Sequence, residues 1–271
     1  VTAGDATTYA IRSDGSLWSW GWNEKGQGGN GVSERTATPT LADGNRVWKK
    51  AVGGKAYGFF LAEDGSLWAA GTHEGGVQGT NDGIDHKVLT RIGTDNDWAD
   101  MACSRFWGYS GFAIKTNGTL WAWGKNSAGQ LGIGNTQAQT APVQVGADMD
   151  WKQVAAGCSS VLALKTDGSL WGWGFNMYSE LFGHEGKQLS PVRLGSETDW
   201  EQVVVIDFRA YAVKKDGTLW AWGDNANNLL GFNTPTEEET TAEGNPVEVV
   251  TVPQITAPTH VTSIEGKVLT I

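Results

Sequence analysis

The chain has 271 residues, among them 38 glycines and 15 tryptophans, and a net charge of −10. No apolar run approaches the ~20 residues of a membrane helix, and no Lys/Arg cluster offers the cationic surface a phosphate backbone needs. A membrane span and a nucleic-acid partner are therefore not expected. With only Cys103 and Cys158, a disulfide-rich scaffold is ruled out too.

In chain order, Val1-Thr2-Ala3-Gly4 reads as the end of a strand, so the chain enters its first structural unit partway. Next comes Asp14-Gly15-Ser16-Leu17-Trp18-Ser19-Trp20-Gly21, and this octet returns at 64–71, 117–124, 167–174 and 216–223. The intervals are 50, 53, 50 and 49 residues, a period that marks a repeat architecture. Each Asp-Gly or Asn-Gly pair predicts a two-residue hairpin turn with positive φ at both central positions. Alternating residues on either side, as in Val161-Leu162-Ala163-Leu164-Lys165 and Leu170-Trp171-Gly172-Trp173, supply the two strands of the hairpin. A further strand precedes them, as at 151–157, and another follows a Gly/Asn-rich loop, as at 142–145 and 191–194.

Helical periodicity is absent, so the unit is a four-stranded all-β blade. One blade of about 50 residues cannot bury both faces, and radial stacking solves this while protecting strand edges. The expected fold is all-β: a single β-propeller domain over 1–271, with about five sequence repeats. A straight β-solenoid is the alternative, although its rungs are usually shorter.

Thirteen tryptophans fall into repeating registers. Trp18, Trp68, Trp121, Trp171 and Trp220 lie early in the third strand, and Trp20, Trp123, Trp173 and Trp222 two residues later. Trp48, Trp98, Trp151 and Trp200 open the first strand. Alternate residues share a face, so each pair on a third strand is expected to pack against one neighbouring blade. Trp22 and Trp107 stand outside the registers. Cys103 and Cys158, 55 residues apart, are expected as small, partly buried thiols at similar places in neighbouring repeats. Toward the end, 234–241 reads as an exposed acidic loop and 251–271 as a degenerate strand segment, with 261–271 a first strand and part of a second. Two expectations stay open: terminal strands that close a small ring, or a chain cut from a longer propeller.

The string Leu120-Trp121-Ala122-Trp123-Gly124-Lys125-Asn126-Ser127-Ala128-Gly129-Gln130-Leu131-Gly132-Ile133-Gly134 resembles the hallmark of the regulator of chromosome condensation repeat family. Val154-Ala155-Ala156-Gly157 and Ala163-Leu164-Lys165-Thr166-Asp167-Gly168 fit the same pattern. The resemblance implies a β-propeller, usually seven-bladed, that works as a protein-binding platform. Some members act as exchange factors on small GTPases, a plant branch senses ultraviolet light through tryptophans, and a bacterial branch inhibits secreted enzymes. The Leu-Trp-x-Trp-Gly form is more similar to bacterial members, which points to a secreted or cell-surface setting. The chain itself opens at Val1 with no signal-peptide pattern.

Catalytic constellations are not found. His73, His86, His184 and His260 share no register, and no nucleophile elbow, phosphate loop or His-Glu-x-x-His helix occurs. The oxygen-rich stretches 81–86 and 95–97 lack full calcium-loop spacing. Neither a cofactor nor a metal is expected, and the chain reads as a non-enzyme. What varies on the repeating frame is the loop after each first strand: Asp5-Ala6-Thr7, Lys55-Ala56-Tyr57, Arg105-Phe106-Trp107-Gly108-Tyr109, Cys158-Ser159-Ser160 and Asp207-Phe208-Arg209. Variable loops on a rigid frame carry function, and aromatic and Arg residues dominate interface energetics. The candidate partner-binding residues are therefore Tyr57, Arg105, Trp107, Tyr109, Phe208 and Arg209, with Trp22, Phe175, Met177 and Tyr178 as a second set beyond the Trp-Gly motif. The expected function is a platform for an unidentified protein partner. The alternatives are a carbohydrate-binding propeller and, further off, a guanine nucleotide exchange factor.

Overall fold

Each repeat turns on one aspartate or asparagine side chain. In the first, the Asp14 carboxylate accepts the Ser16 N–H at 2.9 Å and the Ser16 hydroxyl at 2.6 Å. The same hydroxyl then accepts the Trp18 indole N–H at 2.9 Å. This relay recurs from Asp64, Asn117, Asp167 and Asp216 to Trp68, Trp121, Trp171 and Trp220. It corrects the expected turn type. The Gly15 N–H donates to Arg12 O at 2.9 Å, and positive φ falls on Gly15 (83°) and not on Asp14. The loop is thus a type I turn closed by a left-handed glycine, the three-residue hairpin connection. The local bonds of the aspartate hold it on the right-handed side.

The computed structural model describes residues 1–106, 108–230 and 254–260. They form five antiparallel sheets of four sequential strands each. Blade 1 holds β1 (Thr2–Ala3), β2 (Thr7–Ile11), β3 (Leu17–Gly21) and β4 (Thr36–Asp43). Blade 2 holds β5 (Trp48–Gly53), β6 (Tyr57–Ala62), β7 (Leu67–Gly71) and β8 (His86–Arg91). Blade 3 holds β9 (Trp98–Cys103), β10 (Ser110–Lys115), β11 (Leu120–Gly124) and β12 (Gln139–Gln144). Blade 4 holds β13 (Trp151–Ala156), β14 (Ser160–Lys165), β15 (Leu170–Phe175) and β16 (Lys187–Arg193). Blade 5 holds β17 (Trp200–Ile206), β18 (Arg209–Lys214), β19 (Leu219–Asp224) and β20 (Gln254–His260). Within 251–271 the described strand is β20, the outer strand of blade 5. The predicted acidic loop at 234–241 and the strands at 261–271 lie outside the described residues.

Packing between blades has one direction. β5 lies against β1 and β2, β9 against β5 and β6, β13 against β9 and β10, and β17 against β13 and β14. The first strand of each blade therefore meets the first two strands of the blade before it, which is the inner position of a propeller. Four apolar clusters result, one at each seam. Three of the four tryptophan pairs on third strands join these clusters as expected, with Trp121 and Trp123 in one, Trp171 and Trp173 in the next, and Trp220 and Trp222 in another, whereas Trp18 and Trp20 of β3 are half-buried and join none. Trp123, Trp173 and Trp222 are fully buried. Each donates its indole N–H at 2.8 Å to a carbonyl of the preceding blade: Val77, Gln130 and Glu180 respectively.

Candidate interaction face

At one end of the blades, the segments joining first to second strands are stitched across three of the four seams. Asp5 N–H donates to Gly54 O at 3.3 Å, Tyr57 Oη–H to Ser104 O at 2.5 Å, and Cys158 N–H to Asp207 O at 3.2 Å. Arg105 reaches from blade 3 to blade 1, donating from Nη2 to Ala3 O at 3.3 Å. These approaches explain two glycines. A Cβ on Gly4 would stand 2.7 Å from Gly54 O, and one on Gly157 would stand 2.5 Å from Asp207 O.

The structure separates the sequence-predicted residues into surface and seam. Tyr57 is fully buried and Tyr109 is 6% exposed, their rings 5.9 Å apart. Both are removed from the contact set: Tyr57 opens β6 with its ring turned into the seam, and Tyr109 packs beside it. Arg105, Phe208 and Arg209 are half-buried. Trp107 lies outside the described residues. From the second set, Met177 is 47% exposed, and Tyr178 packs in a tilted arrangement against Phe208 of the next blade with ring centroids 4.8 Å apart. Trp22 and Phe175 are half-buried.

Two apolar residues that sequence reasoning missed stand out from this end: Phe106, 45% exposed, and Ile206, 39% exposed. The available signal was the 53-residue interval, which lengthens the loop of blade 3 to 104–109. Backbone geometry marks the same loops, as it also marks Asn81, Ser179 and Asn228 elsewhere. Phe106 (φ 48°), Tyr109 (φ 46°) and Asp207 (φ 57°) occupy the left-handed region, which costs a non-glycine residue about 1–3 kcal/mol and gathers at functional sites.

The charges here are mixed. Arg209 Nη2 pairs with Asp224 Oδ2 at 3.3 Å. Burial raises the Asp207 carboxyl above the usual carboxylate range, against the pull of Arg209 and Arg105, and Asp5 adds to the rise. Burial pushes the Cys103 thiol up to about 12, with Arg105 and Lys50 opposing. Neither cysteine is joined in a disulfide among the described residues. Their places differ from the expectation: Cys103 ends β9, whereas Cys158 lies in the loop beyond β13. His73 Nδ1 lies 2.7 Å from Asp85 Oδ1 in the segment between β7 and β8, and His86 Nε2, at the start of β8, lies 2.8 Å from Asp82 Oδ2. Asp95 and Asp97 both serve Lys115. Among the described residues, no cluster of three metal-ligating side chains occurs and no helix is long and apolar enough to cross a membrane.

Comparison with known proteins agrees with this geometry. The family model for the regulator of chromosome condensation (RCC1) repeat matches residues 117–164, and a second model of that repeat matches 1–27. The ultraviolet-B receptor UVR8 of Arabidopsis thaliana is 29% identical over 161 residues, which are 58% of this chain and 36% of that protein. Among solved structures, human WBSCR16 superposes with a TM-score of 0.76 at 19% identity, over 96% of this chain and 65% of that one. Yeast RCC1 (Prp20), solved with Kap60 bound, gives 0.77 at 19% identity, over 96% and 60%. The chain thus spans about a third of the curated relative and less than two thirds of either solved chain.

Proposed function

We propose that this chain of RCC1 repeats is a binding platform for another protein, engaged through the loops that follow the first strands of blades 3 to 5. The observation that carries the reading is the coincidence, on one end of the blades, of left-handed backbone at Phe106 and Asp207 with outward apolar side chains at Phe106 and Ile206. A fold holds strained backbone where the surrounding structure over-determines it, and exposed aromatics beside arginines are the residues that anchor interfaces. Yeast Prp20, a structural neighbour, has been solved with the protein Kap60 bound, which supports a protein partner.

A carbohydrate reading draws less support. Stacking on sugars needs free indole faces, and none of the described tryptophans is exposed. The test is capture of partners from the source cells and medium by the purified chain, with Phe106→Ala and Arg105→Ala beside the parent. Either substitution should weaken binding at least about tenfold, the loss expected of an interface anchor, while the melting temperature stays within about 3 °C, as for a surface change. Undiminished capture by both variants would remove the site; capture lost together with the fold would make these residues structural.

A further inference from the structure

The loop behind Tyr178 contains a carboxyl group where its counterparts carry an amide or an apolar side chain. After the Trp-Gly pair, blades 1 and 3 run Asn23-Glu24-Lys25-Gly26-Gln27 and Asn126-Ser127-Ala128-Gly129-Gln130, and blade 4 runs Asn176-Met177-Tyr178-Ser179-Glu180. The three side chains are placed alike. The Oε1 atoms of Gln27 and Gln130 accept the N–H of Lys25 and Ala128 at 3.1 and 2.9 Å, and Glu180 Oε2 accepts that of Tyr178 at 2.8 Å. The difference lies at the other end of the group. Gln130 Nε2 donates to Gly108 O at 3.4 Å, and a carboxylate has no proton to donate.

The neighbouring hydroxyl has changed its partner accordingly. Thr7 Oγ1 donates to Trp22 O at 2.5 Å, and Ser110 Oγ donates to Lys125 O at 2.8 Å. In both cases this acceptor is the carbonyl at the base of the same loop, and Ser110 Oγ also has Gly108 O within reach at 3.0 Å. The equivalent in blade 4 is Ser160, fully buried, whose hydroxyl instead donates to Glu180 Oε1 at 3.3 Å. Glu180 is itself fully buried. The charged groups on its far side are Asp224 of β19 and, paired with it, Arg209 of β18. His184 turns away, with Nε2 at 3.2 Å from Arg193 O.

We propose that Glu180 and Ser160 form a proton-operated latch: with Glu180 protonated, its hydroxyl donates to Ser160 and frees Ser160 to bond Phe175 O, restoring the arrangement of blades 1 and 3 and fixing the loop that presents Met177 and Tyr178. The exchange balances, since one proton is taken from solvent and each hydroxyl keeps one donated bond. Burial is the main force raising the Glu180 carboxyl above the usual glutamate range; its bonds to Tyr178 N–H and Ser160 oppose this and Asp224 adds to it. The sign follows. Between the ordinary glutamate value and the raised one, the folded chain binds the proton and the unfolded chain does not, so stability falls as pH rises through that interval. Glu180 is a positioning residue, and the latch does not depend on the binding reading, because its readouts need no partner.

The experiment is a carboxyl carbon NMR titration from pH 4 to 8, with Tyr178 ring resonances followed in parallel, on the parent chain, Glu180→Gln and Ser160→Ala. The Glu180 midpoint should lie above the ordinary value of about 4.3, and Tyr178 should shift with the same midpoint. In Glu180→Gln that Tyr178 transition should vanish, and in Ser160→Ala the Glu180 midpoint should rise further, its charged form having lost a donor. A midpoint at or below the ordinary value would overturn the proposal. So would Tyr178 resonances that ignore the Glu180 titration, or a Ser160→Ala midpoint that is unmoved or lowered. The parent titration alone decides if either variant fails to fold.

Discussion

At the scale of single residues, the aspartate that closes each hairpin is the most repeated device in the molecule. The Ser or Thr bonds hold the carboxyls of Asp14, Asp64, Asp167 and Asp216 below the usual aspartate range. Such depressed groups stabilise the fold above their unfolded value of about 3.9, and that support is lost as pH falls through the folded values. Blade 3 uses Asn117 at this place with the same two bonds, so Asp167→Asn should leave the hairpin intact at pH 7. The variant should lose less of its melting temperature than the parent between pH 5 and 3; an equal loss would show that this turn contributes nothing to acid sensitivity. The Asp-Gly pair was legible in the sequence as a turn. Its type was not, because the two-residue rule leaves out a side chain that bonds its own backbone two positions on. Tyr57 and Tyr109 were misassigned for a related reason: a loop's variability says nothing about which of its side chains turns into the seam.

Between residue and molecule lies a unit made of one lysine and two tryptophans. In blades 3, 4 and 5 the last residue of the second strand is Lys115, Lys165 or Lys214. Lys165 Nζ lies 4.9 Å from the Trp151 ring and 4.4 Å from the Trp171 ring, and it is held by Asp148 at 2.7 Å and Asp150 at 3.1 Å. Burial works against its charge, and the two aspartates outweigh that and hold the ammonium above the usual lysine value. The two indoles meet edge to face at 6.0 Å. Blade 2 has Ala62 at this place and covers its Trp68 with Arg46, 4.0 Å above the ring. Lys165→Ala should therefore cost about 2 kcal/mol in urea unfolding, from cation–π attraction and covered apolar surface together. Lys165→Met should recover the packing part and remain below the parent; a methionine variant as stable as the parent would reduce the ammonium to a spacer. The tryptophan registers were readable from spacing alone. The lysine was not, since one charged residue at a strand end looks like any solvated one until its neighbours across the hairpin are known.

Over the whole molecule, period and composition foretold five sheets of four strands and the packing of the repeating tryptophans between them, which holds for every blade but the first. They did not foretell the polarity of the seams, which depends on which face of a blade meets which neighbour. Trp173 belongs to the seam between blades 3 and 4, and Trp173→Ala should remove about 3–5 kcal/mol, as for a large ring taken from a packed core. In an array stabilised by neighbour contacts, the loss should also split thermal unfolding into two calorimetric transitions. A single transition, merely shifted, would mean that the array melts as one unit despite a broken seam.

That polarity bears on how the protein is made. Blades 2 to 5 each lay their first strand, and blades 3 to 5 also their later indole, on surfaces that belong to the blade before in sequence. A ribosome releases the earlier blade first, and domains fold from the N-terminal side during synthesis. Every new blade thus leaves the exit tunnel opposite a finished template, with its own inner strand first to touch it. Growth by templated addition keeps the exposed apolar surface to one blade face at a time, which limits the interval in which a nascent chain could pair with the wrong neighbour.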